Sequence, residues 1–475
     1  MGQTRRWCVG HDGAHGVLDG ALGMTRAVQT FQQRLTNWAC QPTLYQSSDA
    51  ASMARISLVD TFACMSIGTG ERQSAVMSQA LEASGDEGRV HPMGGGRACS
   101  LYGAAMLNGT RSHAIDFDDY EIPGSTHVSA PIFSALLALA QLHDVSIRQV
   151  TDAWVVGFEA IVRIGTALGY GHYEKGWHAT ATLGPIGVAA ACSRLLGADP
   201  AQMAHAMALA TSSSAGMKSQ FGFDAKALHV GMAAEAGLRA AMLAQVGATG
   251  NIDIWDAPQG LMEMYGTPSS MGFDAMTETM REGEATAAFP VARKFWPSCS
   301  YTHRVISCAV TLAPEVSDVA AIKRIRLRMP EPFHRVSRFG APTTSNEARF
   351  SAVYCAVVGL LKGQVLPEDF TIETFSDPVR QHLCGLVELD LYDLPAVPPD
   401  QLLVMTPERV TVELATGQLL EHETHQVPGS AERPMTSDDV LDKLAACGGS
   451  RERGQAFMVA SDHTALAECA LFSAN

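Results

Sequence analysis

Apolar residues recur at helical spacing from about Met24 to Val291. The segments AAMLNGTRSHAIDF, APIFSALLALAQLH, VTDAWVVGFEAIVRIGTALG and GPIGVAAACSRLLG each carry an apolar face of period 3.6. HVGMAAEAGLRAAMLAQVG is dense in Gly and Ala, and small residues let helix backbones approach closely, so this segment predicts a central packed helix. Glycines close several of these runs, as C-caps do. The texture then changes. In IKRIRLRMP, Ile325, Leu327 and Met329 alternate with Arg324, Arg326 and Arg328, the period-two pattern of a strand with one solvated face. RVTVELATGQLLEHETHQV alternates on both sides of Ala415-Thr416-Gly417-Gln418 and reads as a β-hairpin. Between them SNEARFSAVYCAVVGLLKG is helical. After PGSAERPMTSDDV the chain returns to helix, with an N-cap in Thr436-Ser437-Asp438.

The chain has 475 residues, of which 47% are hydrophobic and 17% charged, enough for a large buried interior and more than one domain. The patterns divide it into an N-terminal extension outside the fold (1–24), a helical domain (25–291), a smaller α+β lid (292–432) and C-terminal helices that return to the helical domain (433–475). The class expected is mainly α. A net charge of −15 with no long Lys/Arg run argues against nucleic-acid binding, so an anionic substrate must be held by local cations. The 11 cysteines are scattered singly with no CxxC spacing, the usage of reduced thiols in the cytoplasm. The apolar stretch Ala130–Leu142 is too short to cross a membrane, and no membrane partner is expected.

Four clusters could carry chemistry. RSHAIDFDDYEIPGSTHVSAP crowds Asp116, Asp118, Asp119 and Glu121 between His113 and His127. Crowded carboxylates repel, and some then acquire the raised proton affinity of a general acid or base; the competing reading is a solvated acidic loop with a capping Asp. A metal reading, magnesium for diphosphate chemistry, lacks the second acidic cluster it needs, and no HExxH motif supports a transition metal. EKGWHATATLGPIG places His178 before a small-residue helix, where a lone His is commonly a hydrogen-bonded core residue. FGFDAKALHVG places Lys226 and His229 ahead of the central helix; a Lys entering a helical core needs a function or a partner, for which Asp224 is adjacent. ARKFWPSCSYTHRVISC places Lys294 and His303 around a Trp-Pro turn at the domain boundary, where clefts form. MGGGR at 93–97 lacks the spacing of a nucleotide-binding loop and reads as a turn, and no GxSxG elbow is present.

Taken in order, LNGTRSHAIDFDDY, GWHATATLGPIGVAAACSRLLG, KALHVGMAAEAGLRAAMLA and KFWPSCSYTH resemble the MmgE/PrpD family across roughly Arg26 to Cys469. That family includes 2-methylcitrate dehydratases, cis-aconitate decarboxylases and iminodisuccinate epimerases. The resemblance implies a large helical domain with a smaller α+β lid, a homodimer, and a site between the domains that needs no metal or organic cofactor. It carries catalytic positions onto Asp116, His127, His178 and Lys226, and substrate-binding positions onto Tyr120, Lys294 and His303. It implies a lyase or isomerase that moves a proton beside a carboxylate of a small di- or tricarboxylate, with cis-aconitate-type decarboxylation ahead of epimerisation or dehydration. The dehydratase branch resembles DFNDTY where this chain has Asp118, Asp119 and Tyr120, and Tyr120 also replaces a decarboxylase Thr. In that scheme Lys226, Lys294 and His303 bind carboxylates, Asp116 and His127 form a pair that exchanges the proton, and His178 is the opposing acid or base. The rivals from other classes are a magnesium-dependent diphosphate enzyme and a non-catalytic helical scaffold.

Overall fold

The computed structural model describes residues 29–42, 44, 48–282, 289–395 and 405–472; the expected extension at 1–24 lies outside them. The helix Ile147–Leu168 illustrates how local chemistry sets the elements. Ser146 caps it reciprocally with Gln149, its length is almost wholly buried, and Gly169 at φ 73° ends it. With the helices Leu101–Ser112, Ser129–Ala140, Ala179–Leu195 and Ala225–Gln245 it builds the main core, around Phe133, Trp154 and Phe158. Val440, Leu441, Leu444 and Phe457, from the helices Ser437–Ala446 and Arg451–Val459, lie in that same core.

The small residues of the central helix work by proximity. A Cβ on Gly231 would lie 2.4 Å from the carbonyl oxygen of Met106, and one on Gly109 would lie 2.7 Å from the Cα of Gly231. The helices Leu101–Ser112 and Ala225–Gln245 therefore touch backbone to backbone. That contact brings His113, at the end of one, beside Lys226, in the first turn of the other. Among the described residues one helix, Asp49–Gly68, is long and apolar enough to cross a membrane by length and composition. It nevertheless carries a buried Asp60, ion-paired at 2.7 Å with Lys443, and contributes Leu58, Val59 and Ala63 to the core.

The second part of the chain is built on a four-stranded sheet in the order β2-β1-β3-β4, where β1 is Ile322–Pro330, β2 Val387–Tyr392, β3 Glu408–Leu414 and β4 Leu419–Thr424. β1 pairs parallel to β2 and antiparallel to β3, and β3 and β4 form the expected hairpin with Gly417 at φ 84°. Ile325, Leu327, Val410, Val412 and Leu420 face a core shared with the helices His303–Leu312 and Ala352–Lys362. The other face carries a lattice of ion pairs, among them Arg328–Asp390 at 3.0 Å and Arg324–Glu413. This mixed sheet corrects the mainly-α expectation: the molecule combines a helical core with a sheet that has a core of its own, an α+β fold. The physical reason is β2. VELDLY alternates as a strand does, but it follows directly on the helix Pro378–Gly385, and its partner β1 lies 62 residues back across a parallel connection. Alternation in the sequence predicts β1, β3 and β4, and β2 completes the sheet.

The two parts meet through Tyr173, Ala179 and Phe221 from the helical side and Cys299, Val336 and Phe350 from the sheet side. The ten described cysteines are free thiols.

Candidate active site

The site is centred on one aspartate. Asp116 has φ 55°, the left-handed region that Asp tolerates better than most side chains. In that turn its Oδ1 accepts from Lys226 Nζ at 2.9 Å and from Lys294 Nζ at 2.7 Å, and its carbonyl accepts again from Lys294 at 2.7 Å. All three residues are buried. Burial alone would raise the proton affinity of Asp116, but the two ammonium groups hold its carboxyl well below the usual range. Burial, with Lys294 nearby, lowers that of Lys226, whose ammonium lies 5.0 and 5.4 Å from the ring centres of Phe221 and Phe350. Asp224, the adjacent alternative partner for Lys226, is turned elsewhere, to Arg72 at 3.2 Å and Asn346 at 3.0 Å.

Behind Lys226 stands a second chain of groups. Its Nζ contacts Nε2 of His113, whose Nδ1 lies 2.8 Å from Asp118. The carboxylate fixes the tautomer, holding the proton on Nδ1 and leaving the Nε2 lone pair toward the lysine. Asp118 also sits 3.1 Å from His127 Nδ1, while His127 Nε2 is 3.5 Å from Asp116. The nearest carboxylate to His127 is thus Asp118, not Asp116. Burial would raise Asp118, but His113 and His127 hold it well below the usual range. Burial pushes His113 down to about 3 and also lowers His127. His178 is stacked 6.0 Å from His113, approaches Nδ1 of His229 at 3.1 Å, and keeps a buried Nε2 with no hydrogen-bond partner; burial and then Lys226 push its proton affinity well down.

Three helices begin at this cluster. His127 shortly precedes Ser129–Ala140, His178 is the N-cap of Ala179–Leu195, and Lys226 opens Ala225–Gln245. Their N-terminal dipoles act beside the two lysines and offset the carboxylates of Asp116 and Asp118. Lys294 is held by backbone. Tyr120 and Ala292 exchange N–H···O bonds of 2.8 and 2.9 Å, and Lys443 donates to the carbonyls of Phe117 at 2.6 Å and of Lys294 at 3.2 Å.

The sequence-predicted residues therefore divide. Asp116, His127, His178, Lys226 and Lys294 come together. Tyr120 stands at the edge, its ring centre 6.4 Å from His127. His303 is buried against Trp296, and its Nε2 bonds the Trp296 carbonyl at 3.1 Å, so it braces the turn after Lys294. His113 and Asp118 belong to the cluster although the family resemblance carries no role onto them; in the sequence they stand out only as members of the acidic run SHAIDFDD. A narrow pocket opens on His113, Asp116 and Lys226, walled opposite by Asn346, Arg349 and Phe350. Its interior has room for roughly one water.

His113, Asp116, Asp118 and His127 offer ligand atoms within 4.8 Å of one another, the spacing of a metal site. The donor set fits a cation poorly, because both ammonium groups already sit on Asp116 and Lys226 also faces the open nitrogen of His113.

The acidic cluster also splits by proton affinity. Asp119 and Glu121 are each pushed up to about 7 by burial, Asp119 with help from Asp60. A carboxyl raised in the folded state binds more protons folded than unfolded between the usual carboxylate range and about 7, so its contribution to stability falls as pH rises through that window. Asp119→Asn, which mimics the protonated form, avoids that loss. Its stability relative to wild type should improve steadily from pH 5 to pH 8 in urea titrations, whatever its value at pH 5. A relative stability that stays flat or worsens would show that Asp119 is ionised throughout.

The sequence matches the MmgE/PrpD N-terminal domain over residues 33–274 and the MmgE/PrpD C-terminal domain over residues 296–460. It is similar to the cis-aconitate decarboxylase of Homo sapiens, 28% identical over 358 residues that cover 72% of each chain. It is also similar to a cis-aconitate decarboxylase-like protein of Aspergillus oryzae, 26% identical over 83% of this chain and 86% of the relative. A cis-aconitate decarboxylase of Aspergillus terreus is 25% identical over 85% of this chain and 86% of the relative.

Proposed function

The chain belongs to the MmgE/PrpD family, and its relatives named above are lyases; from that premise we propose that it decarboxylates cis-aconitate or a close tricarboxylate analogue without a metal or organic cofactor. The observation that carries the reading is the pair of buried lysines on Asp116, of which Lys226 lines a pocket together with Asp116. The two ammonium groups, with the helix N-termini beside them, are the partners that the carboxylates of an anionic substrate would engage.

In this mechanism a proton adds to the CH carbon of the alkene, and the carboxylate that leaves is the one on the neighbouring CH2 carbon. The electron pair of the breaking carbon–carboxylate bond forms the new double bond, and carbon dioxide leaves. One proton is consumed and the two remaining carboxylates are kept. Lys294 and the helix N-termini stabilise the carboxylate onto which charge spreads during the step. Lys226 delivers the proton, since burial and Lys294 have weakened its hold on it; His113, fixed by Asp118 with its Nε2 lone pair toward the ammonium, orients it, and solvent restores the proton after the step. His178, with its free buried Nε2, is the second proton-exchanging group, and His127 shares Asp118 with His113. Two such subunits form the proposed working unit.

The test is release of carbon dioxide from cis-aconitate by purified protein, with and without EDTA. The expected result is turnover at the same rate in both. No release from cis-aconitate would remove the decarboxylase reading. Turnover abolished by EDTA and restored by a divalent ion would place a metal at the His113–Asp116–Asp118–His127 cluster instead.

A further inference from the structure

A tricarboxylate brings more negative charge than Lys226 and Lys294 can match once Asp116 has taken its share. The pocket that Lys226 and Asp116 line also contains Arg349, 3% exposed, at the end of the helix Ser345–Arg349. Its guanidinium grips Glu71 across 278 residues of sequence, through Nη1 at 3.1 Å and Nη2 at 2.9 Å. Its Nε is buried with no partner. A buried fork with an unused N–H, facing a pocket, has the geometry of a carboxylate receptor. Glu71 sits at the N-cap of Arg72–Ala83 but makes no capping bond with its side chain; the carboxylate is turned to Arg349. The same pocket is tied across by Gln73 Nε2 donating to Asn346 at 2.7 Å. With room inside for roughly one water, the pocket must widen to admit a tricarboxylate.

We propose that Arg349 receives the substrate carboxylate remote from Lys226 and Lys294, and that Glu71 occupies its fork in the empty protein and yields it when substrate binds. This inference rests on the polycarboxylate reading given above. It makes Glu71 a competitor of substrate, which a purely structural ion pair is not.

The test is the KM for cis-aconitate, read by carbon dioxide release, in wild type, Arg349→Lys and Glu71→Gln. Arg349→Lys loses the bidentate fork and should raise KM about tenfold or more, as loss of a charge-assisted pair does. Glu71→Gln removes the competing charge and should lower KM on the order of threefold, the worth of a partly exposed ion pair. A gain in affinity is something a damaged fold does not produce. Both shifts are required, and absence of either overturns the inference while leaving the decarboxylase reading in place. Wild-type protein that fails to act on cis-aconitate overturns that reading, and this inference falls with it.

Discussion

Lys226→Met lowers turnover by about 10²–10⁴-fold, the usual worth of one positioned acid–base group, and leaves the protein folded. The methionine keeps most of the stem between Phe221 and Phe350, and Asp116 retains Lys294, so no charge is left buried alone. Lys226→Arg does not rescue it. Arginine keeps the positive charge but does not give up a proton at neutral pH, so the pair separates proton delivery from charge. The measurements are kcat by carbon dioxide release and the urea midpoint of each variant. Near-normal kcat in Lys226→Met, or full rescue by arginine, would take proton delivery away from this lysine.

Asp116→Asn is the more damaging change for the whole molecule. Asparagine accepts the left-handed backbone at φ 55°, so the turn itself is preserved. What is lost is the charge that both buried ammonium groups pair with. Leaving them uncompensated costs about 3–5 kcal/mol of stability, and activity falls at least as far as in the lysine variant. The pH dependence has a definite sign. Asp116 is held well below the usual carboxylate range in the folded protein, so its stabilisation is present above that range and lost as pH falls below it. The gap between wild type and Asp116→Asn, read from urea unfolding, should therefore shrink between about pH 5 and pH 2. A gap that is small at pH 7, or that does not close in acid, would contradict the assigned charge state.

Much of this was legible in the chain. β1 and the β3–β4 hairpin follow from period-two alternation, and Gly231 and Gly109 announce a close helix contact by their smallness. Lys226 in a helical core asked for a partner, though the sequence offered Asp224 and the fold supplied Asp116, 110 residues away. The acidic run could be seen but not sorted. Its members differ in what surrounds them: lysines and histidines lower Asp116 and Asp118, while burial raises Asp119 and Glu121. His303 shows the converse, because a motif position gives no hint that its ring nitrogen serves the Trp296 carbonyl. Arg349 and Glu71 could not be paired from sequence at all, since nothing local to either marks the other.

Proton NMR of cis-aconitate incubated with the protein in heavy water and EDTA tests the central claim most directly. The expected product has lost one carboxylate, shows a shifted alkene, and carries one deuteron on the former alkene carbon. Substrate left unchanged, or hydrated with all three carboxylates in place, would contradict it.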